Sequence, residues 1–221
     1  MPSPRSYHHG SLKSALVTAG LAALDDLGIE GVSLREVARR CGVSHAAPLR
    51  HVPDHRALLT VLATACAQDM HAHITRWMAT GDHPPHLGLR EAGVAYVDYA
   101  RRWPARFRLV WRGDLIHAED PDYRQAMEAL WSTVMEGLEA MGGGDSPATA
   151  DRRLLAMAVV HGLSTLTLEG GFAALGPSYS AVPEETRRIL DLLGPALAPG
   201  LHPANTPSPC DAGPTVPPRP P

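Results

Sequence analysis

The side chains of this chain that could carry out covalent chemistry do not assemble into a catalytic set. His71 and His73 stand at i, i+2, which points them to different sides of a helix and prevents joint chelation of one ion. Asp151, His161 and Ser164 fall on one predicted helix, with His161 and Ser164 as i, i+3 neighbours. Asp151, however, lies about 15 Å from His161 along that axis, so the three cannot form a hydrolytic triad. No phosphate-binding loop, GxSxG elbow or HExxH word occurs. His8 and His9 sit on a polar, Pro/Gly-rich arm over residues 1–10 and carry no ligand geometry. Cys41, Cys66 and Cys210 share no CxxC spacing, which argues against a disulfide framework and against a cysteine zinc site. The expectation is a protein with no catalytic residues, no metal and no cofactor.

What remains is the chemistry of recognition, concentrated in residues 33–52, SLREVARRCGVSHAAPLRHV. Ser33 and Glu36 stand in the S-x-x-E relation of a capping box, flanked by Val32 and Val37 at the spacing of a hydrophobic staple. Leu34, Val37 and Ala38 give a short helix one apolar face, and Gly42 suits the left-handed position that ends it. Ser44 can cap a second helix, whose inward face carries Leu49 and Val52. Two caps and a Gly turn between matched apolar faces predict a helix-turn-helix.

The elements around it are also helical. Leu12, Leu16, Ala19, Ala23 and Leu27 recur at helical spacing over 11–27, and Gly28 closes that helix. Asp54 caps a long helix reaching about residue 78, its first half packing on the head and its second half entering a body. A loop follows over 81–88, then helices over 89–102, from Pro104, from Pro121, over 148–168 and over 184–197. The 148–168 segment is apolar almost all round, which predicts burial on more than one side. With its neighbour it forms a candidate dimer interface. No period-2 apolar run appears, so the fold class is all-α: three helices in a head and about six in a body. The Pro-rich tail over 198–221 has little to bury and reads as disordered.

Composition agrees. Hydrophobic residues make up 44% and aromatics only 5% of 221 residues, a mix that favours helix. The net charge of −3 hides an asymmetry, a mildly basic first sixty residues on an acidic remainder, which suits a DNA-facing head. No run approaches a membrane span and no signal-peptide core opens the chain, so a soluble cytoplasmic protein is expected.

Tyr7-His8-His9-Gly10, Ser33-Leu34-Arg35-Glu36-Val37-Ala38, Gly42-Val43-Ser44-His45-Ala46-Ala47-Pro48 and His51 together resemble the TetR/AcrR family of one-component transcriptional regulators. Val160-His161-Gly162-Leu163 is similar to the "WHG" word of one C-terminal subgroup, with Val160 in the Trp position. The resemblance implies an arm (1–10), a DNA-binding domain (11–65), a ligand-binding and dimerisation domain (66–197) and the tail. It implies a homodimer on a double-stranded, near-palindromic operator, with recognition helices roughly 34–36 Å apart, released by a small apolar ligand. A ligand-blind DNA binder, or an interaction module that has lost sequence-specific binding, would use the same fold.

On that resemblance, Ser33 and Arg35 face phosphate near a helix start. Ser44, His45, Ala46 and Arg50 occupy the exposed face of the recognition helix. Arg50 reads guanine and Ala46 meets a thymine methyl, while His45 and His51 touch the DNA backbone. Leu49 stands where the family has a Tyr, Val52 where it has a Phe and His55 where it has a Lys, with Arg56 adjacent to take that role. In the body, Tyr96, Trp103, Phe107, Trp111, Met127, Trp131, Met135 and His161 are candidates to line an apolar pocket, His161 supplying its polar handle.

Overall fold

A computed structural model describes residues 9–44, 52–80, 85–140, 147–172 and 183–197. Among these residues the chain forms eight helices and no strand: α1 (His9–Gly31), α2 (Leu34–Cys41), α3 (His55–Ala79), α4 (Pro85–Arg102), α5 (Pro104–Val110), α6 (Pro121–Ala140), α7 (Pro147–Leu168) and α8 (Pro183–Leu197). The arm up to residue 8, the recognition segment 45–51 and the tail lie outside the described residues.

The caps anticipated at Ser33, Gly42, Asp54 and Asp120 form with one change, while the helix expected after Ser44 lies outside the described residues. The Ser33 Oγ accepts the Glu36 amide at 3.2 Å, and Gly42 adopts φ 66°, where its amide and that of Val43 close the carbonyls of Arg39 and Ala38. The reciprocal half of the capping box is not made. The Glu36 carboxylate turns instead to Arg39 (2.7 Å) and Arg40 (2.7 Å), its own next turn. Val32 and Val37 are fully buried, as a staple requires. Asp54 caps α3 through the Ala57 amide at 2.8 Å, and Asp120 caps α6 through the amides of Asp122 and Tyr123.

Gly28, at φ 71°, breaks α1 where the sequence ends the helix, although a further helical turn continues to Gly31. Helix α4 starts at Pro85, inside the loop expected over 81–88 and four residues before the helix start expected at 89. Proline lacks the amide that a first helical position leaves unused, so Pro85 starts the helix rather than delaying it.

One hydrophobic core runs from the head into the body. Leu16 and Leu24 of α1, Val37 of α2 and Leu58, Leu62 and Met70 of α3 join Tyr96 and Tyr99 of α4, Leu109 of α5 and Leu130 of α6 in a single cluster. Helix α3 threads that cluster without a break and belongs to both halves. Helix α7 departs from expectation: Leu154 is 70% exposed, and Leu155, Ala158 and Leu166 are also exposed. Its apolar surplus therefore divides between a buried face and an uncovered one.

Candidate functional site

The head presents its charge selectively. Arg40 is held between Glu36 and Asp26 at 2.7 Å each, and Arg39 is paired with Glu36, whose carboxyl those two guanidinium groups hold at about 2. Arg35 is exposed and forms no ion pair among the described residues, which leaves it as the cation beside the start of α2. Ser33 is exposed with its hydroxyl committed to the cap, and Ser44 is exposed at the entry to the recognition segment. His45, Ala46, Leu49, Arg50 and His51 fall outside the described residues.

His55 and Arg56, expected to face phosphate, are exposed, and each also bonds a backbone carbonyl of the protein. His55 Nε2 donates to the Val32 carbonyl at 2.9 Å, tying the start of α3 to the residue before the helix-turn-helix. Arg56 donates from Nε and Nη2 to the Ile116 carbonyl at 2.9 and 2.8 Å. That carbonyl sits in the loop between α5 and α6, so Arg56 fastens the head to the body. A second fastening is Arg106 of α5, which forks onto Asp25 of α1 (2.6 and 2.8 Å) and reaches Asp69 of α3 (2.8 Å). Its guanidinium pKa is raised, chiefly by the Asp25 hydrogen bonds.

The body holds a cavity of about 410 Å³ between α4, α6, α7 and α8, with Ile74 and Trp111 also in its lining. That volume lies in the range that holds small organic ligands. Its wall is built from helical spacing on four helices: Leu89, Gly93 and Tyr96 on α4, Leu130, Trp131 and Val134 on α6, Ala156, Met157 and Val160 on α7, and Leu190 and Leu193 on α8. Gly93 is needed where α4 meets α7 and α8. A Cβ there would stand 2.8 Å from Leu190 Cδ1 and 3.0 Å from Val160 Cγ1.

Of the eight residues proposed from sequence, Tyr96, Trp111 and Trp131 line this cavity. His161 sits behind them: its Nδ1 is 3.1 Å from the Tyr96 hydroxyl, and its ring meets Trp111 edge-on at 5.0 Å. Phe107 stacks on the far side of His161 at 5.5 Å and also contacts Tyr96. Burial lowers the His161 pKa and raises that of Tyr96, so both are neutral at physiological pH. Trp103 belongs to a separate cluster with His73 and Tyr99. Met127 and Met135 are partly buried and do not reach the cavity wall.

Sequence reasoning missed the charged pair on the cavity wall, where Arg90 meets Asp191 at 2.9 Å. It also missed Glu91, whose side chain is 1% exposed and is gripped by Arg187 (2.9–3.2 Å), Arg90 (3.1 Å) and the Trp77 indole (3.1 Å). A carboxylate inside an apolar helical repeat is the one signal that could have flagged it. Among the described residues no group of three His, Cys, Asp or Glu side chains could hold a metal ion, and no helix is long and apolar enough to cross a membrane.

Residues 89–186, which include most of the cavity wall and Val160-His161-Gly162, match the family model described as "Tetracyclin repressor-like, C-terminal domain". A tetracycline repressor protein of class C from Escherichia coli is 38% identical over 96 residues, 40% of this chain and 42% of that protein; the chain thus matches about two fifths of that relative's length. A solved protein of unknown function from Rhodococcus sp. RHA1 superposes with a TM-score of 0.70 at 27% identity, covering 88% of this chain and 99% of its own. A TetR variant from Acinetobacter baumannii AYE, solved in complex with minocycline, shares the fold at TM-score 0.57 and 20% identity, over 86% of this chain and 96% of its own.

Proposed function

We propose that this chain is a TetR-family transcriptional regulator, a homodimeric repressor released from a near-palindromic operator by a small molecule. The observation that carries the reading is a material route from cavity to head. Trp111 forms part of the cavity wall, the loop it begins presents the Ile116 carbonyl, and that carbonyl holds Arg56 by two hydrogen bonds. An occupant that displaces Trp111 shifts the loop and, through Arg56, the helix that follows the recognition segment. Such a ligand biases the equilibrium only by its differential affinity for the two arrangements, typically about 1–3 kcal/mol of coupling.

In this reading the segment 45–51 enters the major groove, where Arg50 reads guanine and Ala46 a thymine methyl. Ser33, Arg35 and Ser44 position the head on phosphate, with His45 and His51 on the backbone beside them. Leu49 offers no hydroxyl to phosphate, while His55 and Arg56, both exposed, also brace the head through the Val32 and Ile116 carbonyls. The division into a DNA-binding unit over 11–65 and a ligand-binding and dimerisation unit over 66–197 then falls within α3, which serves both. Leu154, Leu155 and Leu166 on α7 with Leu192 on α8, the last 81% exposed, supply an apolar face for a second copy. A regulator of this kind acts in the cytoplasm, where its operator is.

Selection of bound DNA from a random pool by the purified protein, at a stated near-physiological salt, tests the proposal. A recovered palindrome with half-sites about one helical turn apart is the expected result. Recovery of nothing above background, from ligand-stripped and refolded protein as well, overturns it.

A further inference from the structure

Among the described residues that line the cavity, Arg90 and Asp191 are the charged ones, and the rest of the wall is largely aliphatic and aromatic. We propose that the cavity takes an amphipathic anion, an apolar body carrying one carboxylate, whose head displaces Asp191 from Arg90; this rests on the reading of the cavity as an effector site.

Arg90 is held as a fixed cation. Its Nε and Nη2 lie 3.2 and 3.1 Å from Glu91 Oε1, and Glu91 is a fully buried carboxylate that Arg187 and Trp77 also hold. That leaves Nη1, which donates to Asp191 Oδ1 at 2.9 Å. The Asp191 side chain is 53% exposed, and Arg90 is its one polar partner among the described residues. An ion pair with so exposed a member contributes little, because water serves the carboxylate nearly as well. Asp191 thus keeps the place of a carboxylate on a guanidinium that cannot follow it away. A ligand carboxylate makes the same charge-assisted contact and adds burial of its apolar body, while Asp191 returns to water. One carboxylate replaces another on Arg90, so no charge is left buried and unpaired.

The opposite charge is disfavoured. An ammonium on Asp191 would sit beside the Arg90 guanidinium, which Glu91 keeps in place. Arg153 adds to the positive side. Helices α4 and α7 run parallel along the cavity: Ala156 clusters with Leu89, Val160 lies beside Gly93, and His161 meets Tyr96. Arg153, one turn before Ala156, therefore falls at the Arg90 end. Its Nε is buried and has no hydrogen-bond partner. Arg153 does not line the cavity and acts on an anion there through its field alone. The Trp131 indole and Thr133 hydroxyl on the α6 wall can donate to an oxygen of any occupant, so they do not choose between charges.

Isothermal titration of the full-length protein at near-neutral pH with decanoate, 1-decanol and decylammonium, each below its aggregation limit, compares three heads on one chain. Decanoate should bind at least about tenfold tighter than either of the others. Arg90→Gln should cut the preference for decanoate over 1-decanol to under about threefold. If that variant fails to fold, Asp191→Asn carries the test. Removing the competing carboxylate from a half-exposed position should tighten decanoate about threefold and leave 1-decanol within about twofold. A purely structural Asp191 would not raise affinity for the anion alone. Equal affinity for acid and alcohol, tighter binding of decylammonium, binding of none of the three, or decanoate affinity unchanged or weakened by Asp191→Asn overturns the inference. Selection of DNA separates this from the regulatory reading. Selective binding of decanoate supports the ligand class even where no operator is recovered, and an operator recovered alongside non-selective binding overturns the ligand class alone.

Discussion

Glu91→Gln should destabilise the body by about 2 kcal/mol at neutral pH, and the structure gives both the size and the pH signature. Glutamine keeps the volume and one acceptor but converts charge-assisted hydrogen bonds from Arg187, Arg90 and Trp77 into neutral ones. Each conversion loses roughly 1 kcal/mol, about 3 kcal/mol for the three partners. Relief from burying a carboxylate returns part of that, and Arg187 is exposed enough to hydrate the charge left behind, which brings the net to ~2 kcal/mol. At fixed protein concentration this lowers Tm by about 4–8 °C for a chain of this size. Burial alone would raise the Glu91 pKa, but the Arg187 and Trp77 hydrogen bonds and the charges of Arg187 and Arg90 outweigh it and hold the group at about 2. A depressed folded-state pKa contributes stability that is complete above the unfolded value near 4.5 and is lost as pH falls toward 2. Urea titrations of wild type and variant should therefore differ fully at pH 7 and pH 5, and by less than about half as much at pH 3. A gap under about 0.5 kcal/mol at pH 7, or one constant from pH 5 to pH 3, would refute the reasoning.

Other outcomes follow from the same geometry. Arg50→Ala should relax operator specificity and cost roughly 1–3 kcal/mol on specific DNA; an equal loss on random DNA would make Arg50 a phosphate contact. Arg56→Ala removes both bonds to the Ile116 carbonyl, and should lower unfolding stability by about 1 kcal/mol while weakening the response of DNA binding to any cavity ligand, read by fluorescence anisotropy. Leu154→Glu combined with Leu192→Glu places charge on exposed apolar positions, so the chain should stay folded by circular dichroism but sediment as a monomer. Cys66 is fully buried and its thiol pKa is raised by burial, so iodoacetamide at pH 8 should leave it unmodified until denaturant is added.

The sequence was most legible where the physics is local. Caps at Ser33, Asp54 and Asp120 and the left-handed turn at Gly42 depend on a few neighbouring residues, and those elements stand where the residues indicate. Where two local rules competed, sequence was less informative: Glu36 could serve Ser33 or its own arginines, and charge decided for the arginines. The cavity was legible only in part. Tyr96, Trp111 and Trp131 stand out as large side chains in an aromatic-poor chain, but Val160, Leu190 and Gly93 look like any packed helix positions. Their role depends on α4, α7 and α8 meeting across some hundred residues of chain, which no periodicity encodes. His55 and Arg56 show the converse limit: their bonds to carbonyls distant in sequence leave no trace in the local pattern. Basic residues after a helix-turn-helix suggest phosphate, and only the folded chain brings the Val32 and Ile116 carbonyls to them.

Helix α3 gives the molecule a mechanical advantage. Its 25 residues make a rod about 37 Å long, uninterrupted by proline or glycine, with its first residues under the head and its last turns beside the cavity. A stiff rod converts angle into displacement: a tilt of ~5° about its far end carries the near end ~3 Å sideways. Displacements of that size exceed what a hydrogen bond to a base edge tolerates. On the proposed reading, a ligand therefore need not remodel the head at all; changing the seat of the rod in the body by a fraction of an ångström per turn would be enough. By the same leverage, a glycine introduced near Ala67 would make the rod pliant and leave the cavity and the head individually sound but unable to sense one another.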